Sequence, residues 1–142
     1  MSAKYLFDKY LSSLWCKDIK VYSSWILAEP NTPFKETTDK LESLGVNPDK
    51  HIQTKLTKDL INQMDIVIVM TSYHRDFVEQ NFGVTPYLFN ELAYGEKKDL
   101  YDDSEKDYEW TLKELVEYTI EVIDNWLPNI YNFIQKKYFL ET

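Results

Sequence analysis

Apolar positions fall into a succession of short periodic blocks. Tyr5, Leu6, Tyr10, Leu11 and Leu14 recur at helical spacing, which predicts a helix over about residues 2–14 with one apolar face. The run DIKVYSSW, residues 18–25, is short, rich in β-formers and ends in small polar residues, so it reads as a strand followed by a turn. In NTPFKETTDKLESLG, Thr32 stands where an N-cap belongs and Pro33 suits the first helical position. Phe34, Leu41 and Leu44 mark that helix's buried face, Gly45 its stop, and residues 47–50 a turn. A second capped start at Thr57 opens the short helix TKDLINQM.

Residues 65–70, DIVIVM, hold five apolar residues in a row, the pattern of a strand buried on both faces. TSYHRDFVEQNFG predicts a helix ending near Gly83, and residues 85–89, TPYLF, a short strand with Pro86 near its start. An acidic loop runs from about residue 95 to 107. The last strong pattern is EWTLKELVEYTIEVIDNW, whose Leu112, Leu115, Val116, Ile120, Ile123 and Leu127 share one face; Pro128 should end or kink that helix. From about residue 128 the aromatic tail NIYNFIQKKYFLET is available to pack on the body or on a partner. Strands alternating with helices point to an α/β domain with parallel pairing, and no linker composition interrupts residues 1–142, so one domain is expected.

Composition narrows the functions. At 44% hydrophobic and 15% aromatic residues, the 142-residue chain can build a core and does not read as a disordered tail. A formal net charge of -8, dispersed lysines and Arg75 as the only arginine leave no basic patch for nucleic acid or an anionic membrane. The first residues form neither a secretory signal nor a membrane span. One cysteine, Cys16, excludes an intrachain disulfide and a cysteine-rich zinc site, and fits a reduced, cytoplasmic setting. Glycine-rich nucleotide loops and His/Cys metal spacings are absent, so no cofactor is expected.

The order of these blocks resembles the low-molecular-weight protein tyrosine phosphatases and the related arsenate reductases. MSAKYLFDKYLSS is similar to the helix after that family's phosphate loop, and KVYSSW to its second strand with a Ser-rich end. TPFKETTDKLESLGV, followed by His51 and KLTKDL, resembles the family's middle; DIVIVM with TSYH resembles its third strand and the turn beyond. DLYDD, residues 99–103, lies where the family carries its Asp-Pro loop. The resemblance covers about residues 1–128 and implies a three-layer α/β/α fold with a short parallel sheet.

It also implies a first central strand and a Cys-x5-Arg loop ahead of the first helix, and neither is among these 142 residues. The chain is therefore expected to be a truncated or late-started record of such a protein. A second departure is Asp103, followed by Ser104 and Glu105, where the family has Pro and then aromatic residues.

Phosphomonoester cleavage by this route needs a thiolate to attack phosphorus, N–H groups and an arginine to hold the equatorial oxygens, and an acid to protonate the leaving oxygen. Cys16 follows the first helix and lies 59 positions from Arg75 (75 minus 16), so it reads as a small half-buried apolar residue rather than the nucleophile. By resemblance, Asp102 is the general acid, with Asp103 beside it as fallback. The alternatives are that Asp99, Asp102, Asp103, Glu105 and Asp107 form a solvated acidic loop, or a hard-cation site, for which no EF-hand spacing is present. His51 by resemblance supports the phosphate loop through a hydrogen bond; otherwise it is a surface histidine near a turn. Trp25 either packs in the core or walls the cleft. His74 receives no role, and Arg75 reads as a surface residue.

Three functions follow as expectations. The first is a tyrosine phosphatase domain, inactive as written, whose partner would be a phosphotyrosine protein, a small phosphomonoester or phosphate once the loop is supplied. The second is a non-catalytic binding or regulatory module, with self-association a consequence of strands left to pair between chains. The third, arsenate reduction, needs a disulfide relay that one cysteine does not provide.

Overall fold

A computed structural model describes residues 2–24, 35–48, 54–100 and 111–139, the side chain of Leu112 excepted. Its elements are α1 (Ser2–Ser13), α2 (Lys35–Ser43), α3 (Lys58–Asn62), β1 (Ile68–Val69), α4 (Ser72–Phe82), β2 (Tyr87–Leu88), α5 (Phe89–Tyr94) and α6 (Leu112–Tyr138). The result is a mixed α/β architecture with a short parallel sheet, the class that the alternation of blocks predicts. The chain divides into two compact units, Met1–Lys55 with Asp107–Asn125, and Leu56–Lys106 with Trp126–Thr142.

In the first unit, α1 buries Leu6, Phe7 and Leu11 and lies against α2, whose Leu41 is fully enclosed. Val116, Ile120 and Ile123 of α6 add a buried stripe at i, i+4 and i+7. Thr119, buried beside them, satisfies its hydroxyl by donating to the Leu115 carbonyl at 2.9 Å. Lys40 meets Glu121 at 2.8 Å, and the Lys9 ammonium donates to the Leu44 carbonyl.

α1 and α2 close with the same bonding. After α2, Val46 N–H reaches the Leu41 carbonyl and Gly45 N–H the Glu42 carbonyl; after α1, Cys16 N–H reaches Leu11 and Trp15 N–H reaches Ser12. This double bond requires a left-handed residue at the turn. Gly45 supplies it at φ 82°, as the sequence predicts. Trp15 supplies it at φ 56° while 87% exposed.

Residues 18–24 show a strand-like alternation, with Ile19, Val21 and Ser23 half-buried and Lys20, Tyr22 and Ser24 exposed. They form no ladder with any described residue, so the strand expected over residues 18–25 is not seen in the part described. Local pattern sets the alternation of burial, but a ladder also needs a neighbouring strand in register. Residues 25–34, which contain the predicted cap Thr32 and Pro33, lie outside the described residues.

The second unit is organised by β1 and β2, parallel, with Ile68 opposite Tyr87 and Val69 opposite Leu88. The connection between them is α4, the crossover that a parallel pair requires. Thr57 caps α3 by accepting from Leu60 N–H at 3.2 Å, and Gly83, left-handed at φ 70°, ends α4; both were predicted. β1 is shorter than the DIVIVM run suggests, and Ile66–Met70 are half-buried rather than enclosed. An unbroken apolar run is buried on both faces only inside a wider, covered sheet, and among the described residues this sheet has two strands.

Pro128 does not end α6, one of the two outcomes expected: the helix continues to Tyr138. A proline inside a helix costs about 3 kcal/mol through its missing N–H and ring clash. Burial past it offsets that cost. Leu127, Ile130 and Ile134 are buried at i, i+3 and i+7, Phe133 packs edge-on to Tyr87, and Asn129 Nδ2 donates to the Ala93 carbonyl at 2.7 Å. The aromatic segment from about residue 128 thus packs on the body of its own unit. α5 was not foreseen, because FNELAY is short and follows a strand directly; Glu91 returns a carboxylate oxygen to Leu88 N–H at 3.3 Å, and Gly95 stops the helix at φ 80°.

The two helix stops make a paired prediction. At Gly45 a Cβ would meet nothing closer than Lys9 Nζ at 3.7 Å, so only the backbone conformation opposes a side chain. Gly45→Ala should lower stability by about 1–2 kcal/mol, and Trp15→Gly should raise it by up to about 1 kcal/mol, the relief of left-handed strain exceeding glycine's entropy penalty. Urea unfolding of the two variants checks both signs.

Candidate functional site

The second unit places its polar groups at the carboxyl end of β1. In open α/β sheets, ligands are bound just outside the carboxyl ends of the strands, where helix N-termini also converge. Here β1 gives way to Met70 and Thr71, and α4 begins at Ser72. Thr71 caps the helix in the usual way, its Oγ1 accepting from His74 N–H at 3.3 Å. Ser72 N–H, another of the first-turn donors with no partner inside the helix, is taken by a residue 27 positions on: it donates to Asp99 Oδ1 at 2.6 Å, while Ser72 Oγ donates to Asp99 Oδ2 at 3.2 Å. A carboxylate at this end also suits the helix dipole.

The main chain around Asp99 is held as well. Asn90 Nδ2 donates to the Asp99 carbonyl at 3.0 Å, and Leu100 N–H donates to the Met70 carbonyl at 2.9 Å. Asn90 is 3% exposed, and among the described residues no donor reaches its Oδ1. His74, half-buried on the first turn of α4, has its pKa lowered: burial lowers it, and the negative charge of Asp99 raises it by less. The cluster orients a chain segment and neutralises a helix end. Among the described residues it contains no cysteine. Among the described residues, no group of three His, Cys, Asp or Glu side chains could hold a metal ion.

The residues singled out from sequence fall elsewhere. Asp102 and Asp103, His51 and Trp25 lie outside the described residues. Asp99, counted with the acidic loop, is instead half-buried and bonded through three of its oxygens. Cys16 is half-buried in the turn that closes α1. Thiolate nucleophiles are favoured at helix N-termini beside a cation; Cys16 is at the opposite end of its helix, and the position six residues on is Tyr22, not arginine. Arg75 faces Asp76 at 3.7 Å. Sequence reading missed Ser72 and Asn90, since neither the 27-residue separation nor the 9-residue one from Asp99 carries a local pattern.

No family model and no curated protein matches the chain. Solved structures do. The YwlE arginine phosphatase, as a cysteine-to-serine mutant with a phosphorylated active-site serine, superposes with a TM-score of 0.81 at 20% identity, over 99% of this chain and 90% of that one. A low-molecular-weight protein tyrosine phosphatase from Bacillus subtilis gives 0.77 at 20% identity, over 95% and 88%. Wzb of Vibrio vulnificus, in complex with benzylphosphonate, gives 0.68 at 22% identity, over 95% and 88%. The chain therefore has the fold of the low-molecular-weight protein tyrosine phosphatases. No helix among the described residues is long and apolar enough to cross a membrane.

The His74 environment has a pH consequence. The folded chain holds this imidazole below its ordinary value of 6.5, so the unfolded chain binds the proton more readily. The stability linked to neutral His74 is therefore complete above about pH 6.5 and is lost as pH falls through the lower folded-state value. The melting temperature should decline between about pH 7 and pH 5, above the range where ordinary carboxylates take up protons. His74→Gln should flatten that decline, as followed by circular dichroism.

Proposed function

We propose that residues 1–142 form one low-molecular-weight tyrosine-phosphatase-like domain of phosphomonoester-cleaving type, and that this polypeptide does not by itself turn over substrate. The observation that carries the reading is the likeness of fold along nearly the whole chain, 93–99% of it in the matches above and their companions. In this reading Asp102 protonates the leaving oxygen, His51 steadies the phosphate loop, and Trp25 and Asp103 border the cleft. The thiolate and the arginine that would grip the phosphoryl group have no counterpart among these residues, because Cys16 lacks an arginine partner. The substrate would be a phosphotyrosine protein or another small phosphorylated group. Fold alone does not choose between leaving groups, and similar structures include an arginine phosphatase.

The second reading, a non-catalytic binding module on the same fold, is favoured by one feature: no Cys-x5-Arg spacing occurs in the sequence.

One measurement tests the assignment of Cys16, and a second separates the readings. The purified 142-residue chain should hydrolyse p-nitrophenyl phosphate no faster than buffer does; turnover abolished by Cys16→Ser would overturn the assignment of that residue. The intact mass of the protein from its native source should exceed 17.0 kDa, with an N-terminal excess containing Cys and Arg six positions apart. A mass equal to 17.0 kDa would transfer the case to the binding module.

A further inference from the structure

We infer that Asp99 and Asn90 are positioning residues: together they lock residues 99–100 onto the carboxyl end of β1 and the first turn of α4, and so hold the main chain immediately ahead of residues 101–107. Four hydrogen bonds on two consecutive residues carry the inference. Asp99 receives Ser72 N–H and Ser72 Oγ–H through its carboxylate and Asn90 Nδ2–H through its carbonyl, while Leu100 N–H is given to Met70. These bonds tie three separate pieces of the second unit, the β1 exit, the α4 start and the second residue of α5, to one short stretch of chain.

An exposed acidic loop needs no such attachment. Its carboxylates satisfy themselves with water, and surface pairs contribute little. Asp99 is different because its partners are a helix-end N–H, which has no intrahelical acceptor, and a buried amide. Asn90 is buried at 3% exposure, and the donor of its amide is committed to the Asp99 carbonyl. An apolar side chain at that position could not hold the Asp99 carbonyl. Asp99 precedes Asp102 by three residues, so the lock acts on the origin of the segment that carries the proposed acid. That last consequence rests on the phosphatase reading; the lock itself does not.

Site-resolved amide hydrogen exchange on the 142-residue chain tests the lock without reference to phosphate chemistry. Asp99→Ala should speed exchange at the Leu100 amide about ten- to a hundredfold, the equivalent of losing charge-assisted hydrogen bonds, while the Gly83 and Ile130 amides keep their protection. Asn90→Ala should speed Leu100 in the same direction. Asp99→Asn retains an acceptor for Ser72 N–H and should restore Leu100 protection to near the native level. In that variant the His74 titration should also move to lower pH, since the charge that raises it is gone. Unchanged exchange at Leu100 in Asp99→Ala would overturn the inference. So would equal acceleration at Leu100, Gly83 and Ile130, which marks general destabilisation. Neither result bears on whether the protein is a phosphatase, and a failed phosphatase assay leaves the exchange result standing.

Discussion

Parallel pairing of two strands sets a polar problem that antiparallel pairing avoids. Both chains leave the pair in the same direction, so unpaired carbonyls of the strand ends and unpaired N–H groups of the following helix gather on one side. In the second unit the ladder is only two residues long, Ile68–Val69 against Tyr87–Leu88, and supplies few bonds of its own. What completes it is Asp99–Leu100. One residue delivers acceptors to the α4 start and the next delivers a donor to Met70, the last residue of the β1 run. α4, α5 and the segment after Gly95 meet in this closure, each contributing a polar group from a half-buried or buried residue that finds its partner there.

Features whose causes lie within one or two helical turns were legible in the sequence. Thr57 acts through its hydroxyl on the next turn, Gly45 and Gly83 through their own backbone, and each stands where its residue type predicts. Helix α1 and the apolar face of α6 follow from periodicity. The failures share a different cause. Strand character over residues 18–24 survives as alternating burial, yet a ladder depends on a neighbour that local pattern cannot supply. An end at Pro128 was one of two expectations because the proline penalty is local, whereas the compensating burial of Ile130 and Ile134 is tertiary. Trp15 occupies a left-handed turn for which its type gives no warning. At the site, Asp99 looked like one acid in a charged run. Only the fold brings it to Ser72, 27 residues earlier.

Resemblance supplied what local pattern could not, namely the order in which elements are assembled, and the solved structures bear out the fold at 16–22% identity. Chemistry is a separate matter. A fold is specified by many weak, replaceable contacts, so it persists at low identity; a thiolate, an arginine and an acid are three particular side chains, and losing one removes the reaction.

The energetics of the second unit sharpen that separation. Every bond that anchors residues 99–100 comes from within Leu56–Lys106, from Ser72, Asn90 and Met70. None requires a bound phosphate or a nucleophile to be made. The lock therefore contributes stability whether or not the domain catalyses anything, and it would be retained by selection for folding alone. Retention of the Asp99 anchor is thus compatible with both functional readings, and the decision between them falls on the Cys-x5-Arg element. The anchor does bear on which losses are tolerable. A chain that dispensed with catalysis could still replace Asp99 only by leaving the helix-end donor of Ser72 without its acceptor.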